Sequence, residues 1–557
     1  MANNSVTAHN AQILISGAGP AGLALAVELG SRGIACTVVE RNDRVGYAPR
    51  AKTTHTRTRE HMRRWGIADD LAAVAPFGVD FPSNVYFVTR LSGYCLTMIE
   101  NAFNCSPERN ELYSEHAQWV PQYRVEEVLR NRAMSLPSVR VLFNHEFLGA
   151  TQTETGVSCW VRDLAGGGQA EFICQYLVGA DGGRSAVRDL IGAKMEGVYG
   201  LAHAYNIVFR APGLAERNPH GPGIMYWQIN SEVAGLIGPM DKDDLWYFMP
   251  AKVPDIVRLD NAAAADLIRR ATGIDLPYEV LSADEWAASH FIADKYSDGR
   301  IFLIGDACHL HPPTGGYGMN MGISDSVDLG WKLAATLQGW GGDGLLATYE
   351  VERRPVHGQV IDAALANHAT LALHLVRPEL EADTPEGAAL REQLGADLAT
   401  KRLREFRPLG VMLGYCYEGS PIVAHEPGAP PEWPEGVYIP SARPGSLAPH
   451  AWLTDGRSLY DTFGEGFTLL GFGEASTASF ERATADARAL GIPLKTVRID
   501  EPRVAALYES ELALIRPDQN VAWRGDAWPG SAVLQMATAQ AARGMESAVV
   551  RNAMTTA

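Results

Sequence analysis

The hydrophobic pattern at the start of the chain alternates between two periods. "QILIS" (12–16) is continuously apolar and reads as a buried strand, "LALAVELGSRG" (23–33) repeats its apolar positions at helical spacing, and "ACTVVE" (35–40) is a second strand. A strand, loop and helix return near the middle. "GRIFLIGDA" (299–307) reads as a strand ending at Asp306, and "GMNMGISDSVDLGWKLAATLQ" (318–338) as an amphipathic helix beginning near Met319 and Asn320. Between these regions the period falls to two, in "AYNIVFRA" (204–211), "GIMYWQIN" (223–230), "EVAGLIGPM" (232–240) and "DLWYFMP" (244–250), which predicts a β-sheet. From Pro421 to His450 there are eight prolines in thirty residues, a composition that cannot hold regular structure and marks a domain boundary. Beyond it "GFTLLGFG" predicts a strand, "TASFERATADARAL" a helix, "IPLKTVRI" a strand, "PRVAALYESE" a helix and "RPDQNVAWRG" a closing strand. The class is α/β.

At 557 residues the chain exceeds one compact core, so two or three domains are expected. A net charge of -17 argues against a nucleic-acid or anionic-membrane partner, because both need clustered Lys and Arg. A small neutral or aromatic partner fits better. The seven cysteines include no CxxC pair and are too sparse for a disulfide framework, which points to a reducing cytoplasm. "MANNSVTAHN" has no basic leader region, and the apolar stretch after it is broken by Gly, Pro and Glu28, so neither a signal peptide nor a membrane span is expected. No internal repeat or low-complexity tract is visible.

The first strand and helix are joined by Gly17, Gly19 and Gly22, a G-x-G-x-x-G turn. Its glycines let backbone approach a pyrophosphate, and the helix start offers unpaired N–H groups and a positive dipole end. Glu40 lies eighteen residues past Gly22, where a βαβ dinucleotide fold places the acid that bonds a ribose hydroxyl. NAD and FAD both satisfy this pattern. In "GDACHLHPPTGGYGMNMG" (305–322) a metal site would use Asp306, Cys308, His309 and His311, but the sequence shows no second ligand cluster at recognisable spacing, and no metal is expected. Either histidine alone also reads as a satisfied polar loop residue.

Three motifs in this order resemble the class A flavoprotein monooxygenases, aromatic hydroxylases built on one FAD-binding fold: "GAGPAG" (17–22), "VGADGGRSAVRDLIG" (178–192) and "GRIFLIGDACHLHPPTGGYGMNMGISD" (299–325). The resemblance covers roughly residues 10 to 400. "APHAWLTDGRSLYDTFGEGFTLLGFG" extends it toward the phenol hydroxylase branch, whose members carry a thioredoxin-like C-terminal domain.

The resemblance implies a Rossmann-like FAD-binding domain of the para-hydroxybenzoate hydroxylase type over 10–400, interleaved with a β-sheet substrate domain (about 75–120 and 195–290). A helical and Pro-rich linker (401–440) and a thioredoxin-like domain (441–557) would follow; Cys416 is the last cysteine, so that domain has no thiol chemistry. Asp306 would bond the ribityl chain, Pro312, Gly315 and Gly316 would lie along the isoalloxazine ring, and Gly318, Met319 and Asn320 would bind the cofactor where the following helix points its positive end at the ring. Arg50, Gln122 and Asp181 would also contact FAD. The residue chemistry agrees, since a proline pair makes a stiff wall and glycines let main chain touch a flat ring.

Arg57, Arg59, Arg63 and Arg64 read equally well as a solvated helix face. Tyr226, Trp227, Trp246 and Phe248 are candidate pocket aromatics, with a plain core role competing in each case. No residue stands out as the catalytic acid or base.

The implied reaction is hydroxylation of a phenolic or related aromatic with O2: NADPH or NADH reduces FAD, oxygen adds at flavin C4a, and one atom passes to the ring. No second G-x-G-x-x-G appears, so the nicotinamide has no binding domain of its own. A reductase or oxidase without oxygen insertion, or a flavin-binding sensor, is the rival reading. A halogenase would carry W-x-W-x-I-P, which "MYWQINSEV" does not supply. The branch also implies a homodimer.

Overall fold

A computed structural model describes residues 7–43, 51–251, 259–370, 376–429, 436–474 and 476–540. Arg50 lies outside them.

A six-stranded sheet takes the order Ser297–Asp298, Ile301–Leu303, Tyr176–Gly179, Ile13–Ser16, Cys36–Glu40, Val139–Phe143, parallel except at the first pair. Helices cover it, so Ile13, Leu14 and Ile15 are wholly buried, which is why these strands read as unbroken apolar runs. The helix Pro20–Ser31 starts with a proline in its first turn, where the missing N–H has no intrahelical partner to lose. It packs against the long helix Tyr317–Leu337.

An eight-stranded sheet stands beside it, in the order His309–Leu310, Glu279–Ala293, Met195–Arg210, Leu245–Pro250, Gly235–Asp241, Met225–Gln228, Val85–Val88, Cys95–Ile99. Its two faces carry different cores. Tyr226, Trp246 and Phe248 pack with Ile207, Phe209 and Ile268 against the helix Asn261–Thr272. Phe87, Trp227 and Tyr247 lie on the other face with Phe103, Trp119 and Phe406.

The C-terminal sheet has the order Leu494–Ile499, Phe467–Phe472, Leu512–Ile515, Val521–Gly525. Here the expected closing strand is corrected: Arg516–Asn520 is a tight turn, and only Val521–Gly525 continues as strand. The run "LALI" just before the turn is a strand that the helical reading of "PRVAALYESE" had overshadowed. Asp518 and Asn520 supply turn-forming side chains, with Asp518 Oδ1 accepting from Asn520 N at 3.2 Å.

Candidate active site

The first strand ends in a glycine turn whose three glycines have different reasons to be there. A Cβ on Gly17, at φ +107°, would stand 2.3 Å from Ala180 O, and one on Gly22 would stand 2.0 Å from Gly17 O. Packing alone therefore demands glycine at both. Gly19 has an ordinary φ of -72°, and a Cβ there meets nothing within 4 Å. The protein does not need that glycine; a ligand lying on the helix N-terminus would. Glu40 Oε2 accepts from Ala18 N at 2.9 Å and Oε1 from Asn42 N at 3.0 Å, so this acid braces the turn as well as standing where a ribose is expected.

The second motif is locally self-contained. Asp181 accepts from Ser185 Oγ and from Ala186 N (2.8 Å), capping the helix Ala186–Leu190 rather than presenting its carboxylate outward. Sequence reasoning passed over Arg188, which donates to Ala307 O at 3.2 Å and to Gly183 O at 3.0 Å. It ties this motif to the turn carrying Asp306.

That turn departs from expectation: the strand ends at Leu303 and Gly305–Ala307 is a 3-10 turn, with Gly305 in the left-handed region at φ +60°. Asp325, from the long helix, accepts from Gly305 N at 3.0 Å and fixes it. The same carboxylate accepts from His309 Nε2 (2.7 Å) and pairs with Arg353 Nε (2.9 Å) and His357 Nε2 (2.9 Å). Burial opposes ionisation here, yet His357, His309 and Arg353 together hold Asp325 well below the usual carboxylate range. His309 is therefore a buried anchor with its Nε2 satisfied by Asp325. Cys308, His309 and Asp325 do bring ligand atoms within 4.8 Å of one another, but the Asp325 oxygens are already shared with Arg353 and two histidines, a poor donor set for a second cation.

Pro312 and Pro313 lead into Gly315 (φ +90°) and Gly316 (φ +68°), and the long helix starts at Tyr317, two residues before the predicted start. His55 Nε2 bonds Gly315 O at 2.8 Å, and burial pushes the His55 pKa down to about 4, so it is neutral and donates there. Asn320 is wholly buried. Its Oδ1 accepts from His55 N (2.8 Å) and Thr58 Oγ1 (2.7 Å), and its Nδ2 donates to Thr53 O (3.0 Å) and Gly316 O (2.8 Å). Its side chain is thus committed to the loop's framework. Gly318 resembles Gly19: nothing lies within 4 Å of its Cβ position. Met319 is half-buried on the same first turn.

Gln122 bonds Ala51 in both directions, Ala51 N to Gln122 Oε1 at 3.2 Å and Gln122 N to Ala51 O at 3.0 Å, and so holds the segment that leads to Thr53. The arginines after it are not a solvated face. Arg57 is buried against Glu60, Gln519 Oε1 (2.7 Å) and Asp518 O (2.7 Å); Arg59 pairs with Glu115, Arg63 with Glu115 and Asp461, and Arg64 with buried Glu28 at 2.6 Å. Their acidic partners are scattered along the chain, which is why local charge counting misread them.

The four pocket aromatics divide between the two faces of the eight-stranded sheet. Tyr226, Trp246 and Phe248 belong to the core behind it, while Trp227 faces the side on which Trp119 pairs with Thr53. Trp119 and Tyr247 ring centroids are 6.5 Å apart on that side. The indole nitrogens of Trp119 and Trp227 and both amide atoms of Gln118 are buried with no hydrogen-bond partner among the described residues.

Ala21, just past the glycine turn, approaches Gly305, and Thr53 links Gly316 of the loop to Trp119; comparison with known proteins decides what the arrangement is. Residues 10–364 match the FAD binding domain family and 441–543 the family described as aromatic-ring hydroxylase, C-terminal. The chain belongs to the FAD-dependent aromatic-ring hydroxylases. Among relatives of this hydroxylase, 2,4-dichlorophenol 6-monooxygenase of Delftia acidovorans is 33% identical, with 94% of this chain and 97% of that protein covered. The rebeccamycin biosynthetic enzyme RebC with reduced flavin superposes with a TM-score of 0.88 at 34% identity, covering 96% of this chain and 99% of that one. The flavin-dependent monooxygenase PieE, in complex with FAD and substrate, gives 0.87 at 29% identity over 95% and 99% of the two chains. The hydroxylase is an FAD-dependent monooxygenase. Among the described residues no helix is long and apolar enough to cross a membrane.

Proposed function

We propose that the enzyme hydroxylates a phenolic ring, with NAD(P)H as reductant, and that FAD lies from the Gly17–Gly22 turn past Asp306 to the Pro312–Gly316 loop. The observation that carries the substrate class is the wall of Phe87, Trp227 and Tyr247 with Trp119 beside it, joined to the loop through Thr53, which approaches Gly316. An aromatic ring buries well there, and a 2,4-dichlorophenol monooxygenase among the relatives acts on a ring of this kind. Gly19 and Gly318, open where a Cβ would stand, fit a cofactor lying against backbone at both ends.

Bound FAD supplies hydride acceptance and oxygen activation. The chain's residues supply the setting. The Tyr317–Leu337 helix points its N-terminal N–H groups at the loop, where they favour negative charge. The aromatic wall excludes water, which keeps activated oxygen from wasteful decay. A phenol is favoured over an unsubstituted or electron-poor ring because its hydroxyl raises electron density at the ortho and para carbons that receive an electrophilic oxygen.

We take residues 10–400 as the FAD-binding unit with its interleaved substrate sheet and 441–557 as the thioredoxin-like unit. The reading extends to a reducing cytoplasm, which suits cysteines without framework spacing, and to a homodimer, which sedimentation tests. The reaction itself is tested with labelled oxygen gas: one atom is expected in the product and the other in water. NADPH consumption that places no label in any aromatic tried would identify an oxidase or reductase instead.

A further inference from the structure

Lys52 sits between the loop and the sheet. Its carbonyl accepts from Val120 N at 2.8 Å, and the next residue, Thr53, pairs with Trp119 and accepts at its carbonyl from Asn320, so the backbone is held from both sides. The two side chains diverge. Thr53 approaches Gly316, whereas Lys52 Nζ lies 4.0 Å over the centre of the Tyr247 ring. This is the sheet face that carries Trp119 and Trp227, whose indole nitrogens have no partner among the described residues.

Among the described residues no carboxylate pairs with Lys52. Lys52 is half-buried, and the fully buried cations near the site each have one: Arg57 has Glu60, Arg59 has Glu115, and Arg353 has Asp325. Burial alone pushes the Lys52 ammonium down to about 8, with no neighbouring charge acting on it. The Tyr247 ring offers a cation–π contact and leaves the remaining N–H donors free to bond elsewhere. A half-buried ammonium beside an aromatic ring, with no carboxylate partner among the described residues, is better stabilised when an anion joins it in the working complex.

We propose that Lys52 receives the ionised hydroxyl oxygen of the aromatic substrate, so that the ring is held as its phenolate against the loop. The assignment rests on the hydroxylase reading and deepens it. On binding, the phenol O–H bond breaks, the proton leaves to solvent, and the oxygen keeps the electron pair beside the Lys52 ammonium. The extra electron density on the ring then favours attack by electrophilic oxygen, and the enzyme selects acidic phenols over their O-alkyl ethers.

The test titrates 4-nitrophenol and 4-nitroanisole into FAD-loaded enzyme without NAD(P)H, at a pH low enough that free 4-nitrophenol is neutral, so that the visible phenolate band reads the bound state alone. The native enzyme should bind 4-nitrophenol as phenolate. Lys52→Met should weaken that binding about tenfold to a hundredfold, the range of a lost charge-assisted hydrogen bond, and abolish the band. Lys52→Arg should restore most of it. FAD content, flavin reduction potential and 4-nitroanisole affinity should be alike in native and variant enzyme. If Lys52→Met binds 4-nitrophenol as tightly as the native enzyme, or instead loses FAD or shifts the flavin potential, Lys52 serves the fold or the cofactor and the assignment fails while the hydroxylase reading stands. If the native enzyme binds neither probe, the phenolic substrate class falls together with it.

Discussion

The backbone N–H of His55 donates to the side-chain oxygen of Asn320 at 2.8 Å, closing a separation of 265 residues. One amide thereby locks the start of the long helix to the Thr53–His55 segment and, through Gly316 O, to the glycine loop. Asn320→Ala would leave the Thr53 carbonyl and the His55 N–H buried without partners, at about 1–3 kcal/mol for each group that finds no water. Urea unfolding should show at least about 2 kcal/mol lost, and FAD should dissociate more readily on dilution.

Gly19 and Gly22 should separate cofactor binding from folding. A methyl at Gly19 meets no protein atom, so Gly19→Ala should leave apo stability within about 0.5 kcal/mol of native while FAD affinity falls. A methyl at Gly22 would lie 2.0 Å from Gly17 O, backbone that cannot yield cheaply, so Gly22→Ala should cost about 3 kcal/mol or more. Thermal denaturation of both apo proteins beside an FAD titration reads the contrast, and an unchanged FAD affinity in Gly19→Ala would move the cofactor off this turn.

The C-terminal sheet is keyed into the FAD-binding unit by a buried arginine. Arg516 pairs with Glu352 (2.6 Å), Asp328 (3.4 Å) and Asp518 (2.6 Å), and Lys332 bonds Asp328 and Glu352 from the other side. Removing one member of such a set strands buried charge, so Arg516→Met should destabilise by about 3–5 kcal/mol, and deleting 441–557 should yield insoluble protein. A truncated chain that stays soluble and binds FAD normally would show that this contact is dispensable. Alkylating thiols should not affect the C-terminal domain, since no cysteine follows Cys416.

Stability should fall as pH drops from about 6.5 toward 4. Burial pushes His55 and His450 down to about 4 and His357 to about 3, and holds His61 and His311 well below the ordinary value too. In this window the unfolded chain binds protons that the native protein excludes, so each such histidine removes up to about 1.4 kcal/mol per pH unit. Asp328, which burial pushes up to about 7, acts in the opposite sense over the same range, as do Glu60, Glu405 and Asp181, whose carboxyls burial also raises, and the larger set of histidines sets the direction. Urea midpoints measured from pH 8 to 4.5 should decline below pH 6.5; a flat profile would mean these histidines are protonated in the native state.

Much of the fold was legible because its signals are short-range. A buried strand, a glycine turn and a helix can be read from twenty residues, since sterics and helix periodicity act over a few positions. The alternation in Met225–Gln228 and Leu245–Pro250 likewise identified strands, but alternation defines two faces without saying which one meets the ligand. Hence Tyr226, Trp246 and Phe248 were grouped with Trp227, from which the sheet separates them.

What the sequence determined by itself was local geometry and the chemistry it permits: Gly17 and Gly22 where backbone passes close, the Pro312–Gly316 loop as a stiff platform, and a C-terminal unit without thiols. The tertiary structure alone decided which polar side chains are free to meet a ligand. Arg57 bonds Gln519 across 462 residues, Asp325 gathers His309, Arg353 and His357, and Asn320 spends all its bonds inside the framework, while Lys52 is left over an aromatic ring with no counter-ion among the described residues. Hydrogen bonding and charge pairing act through space over a few ångströms. Their partners are therefore set by how distant segments meet, which no local pattern encodes.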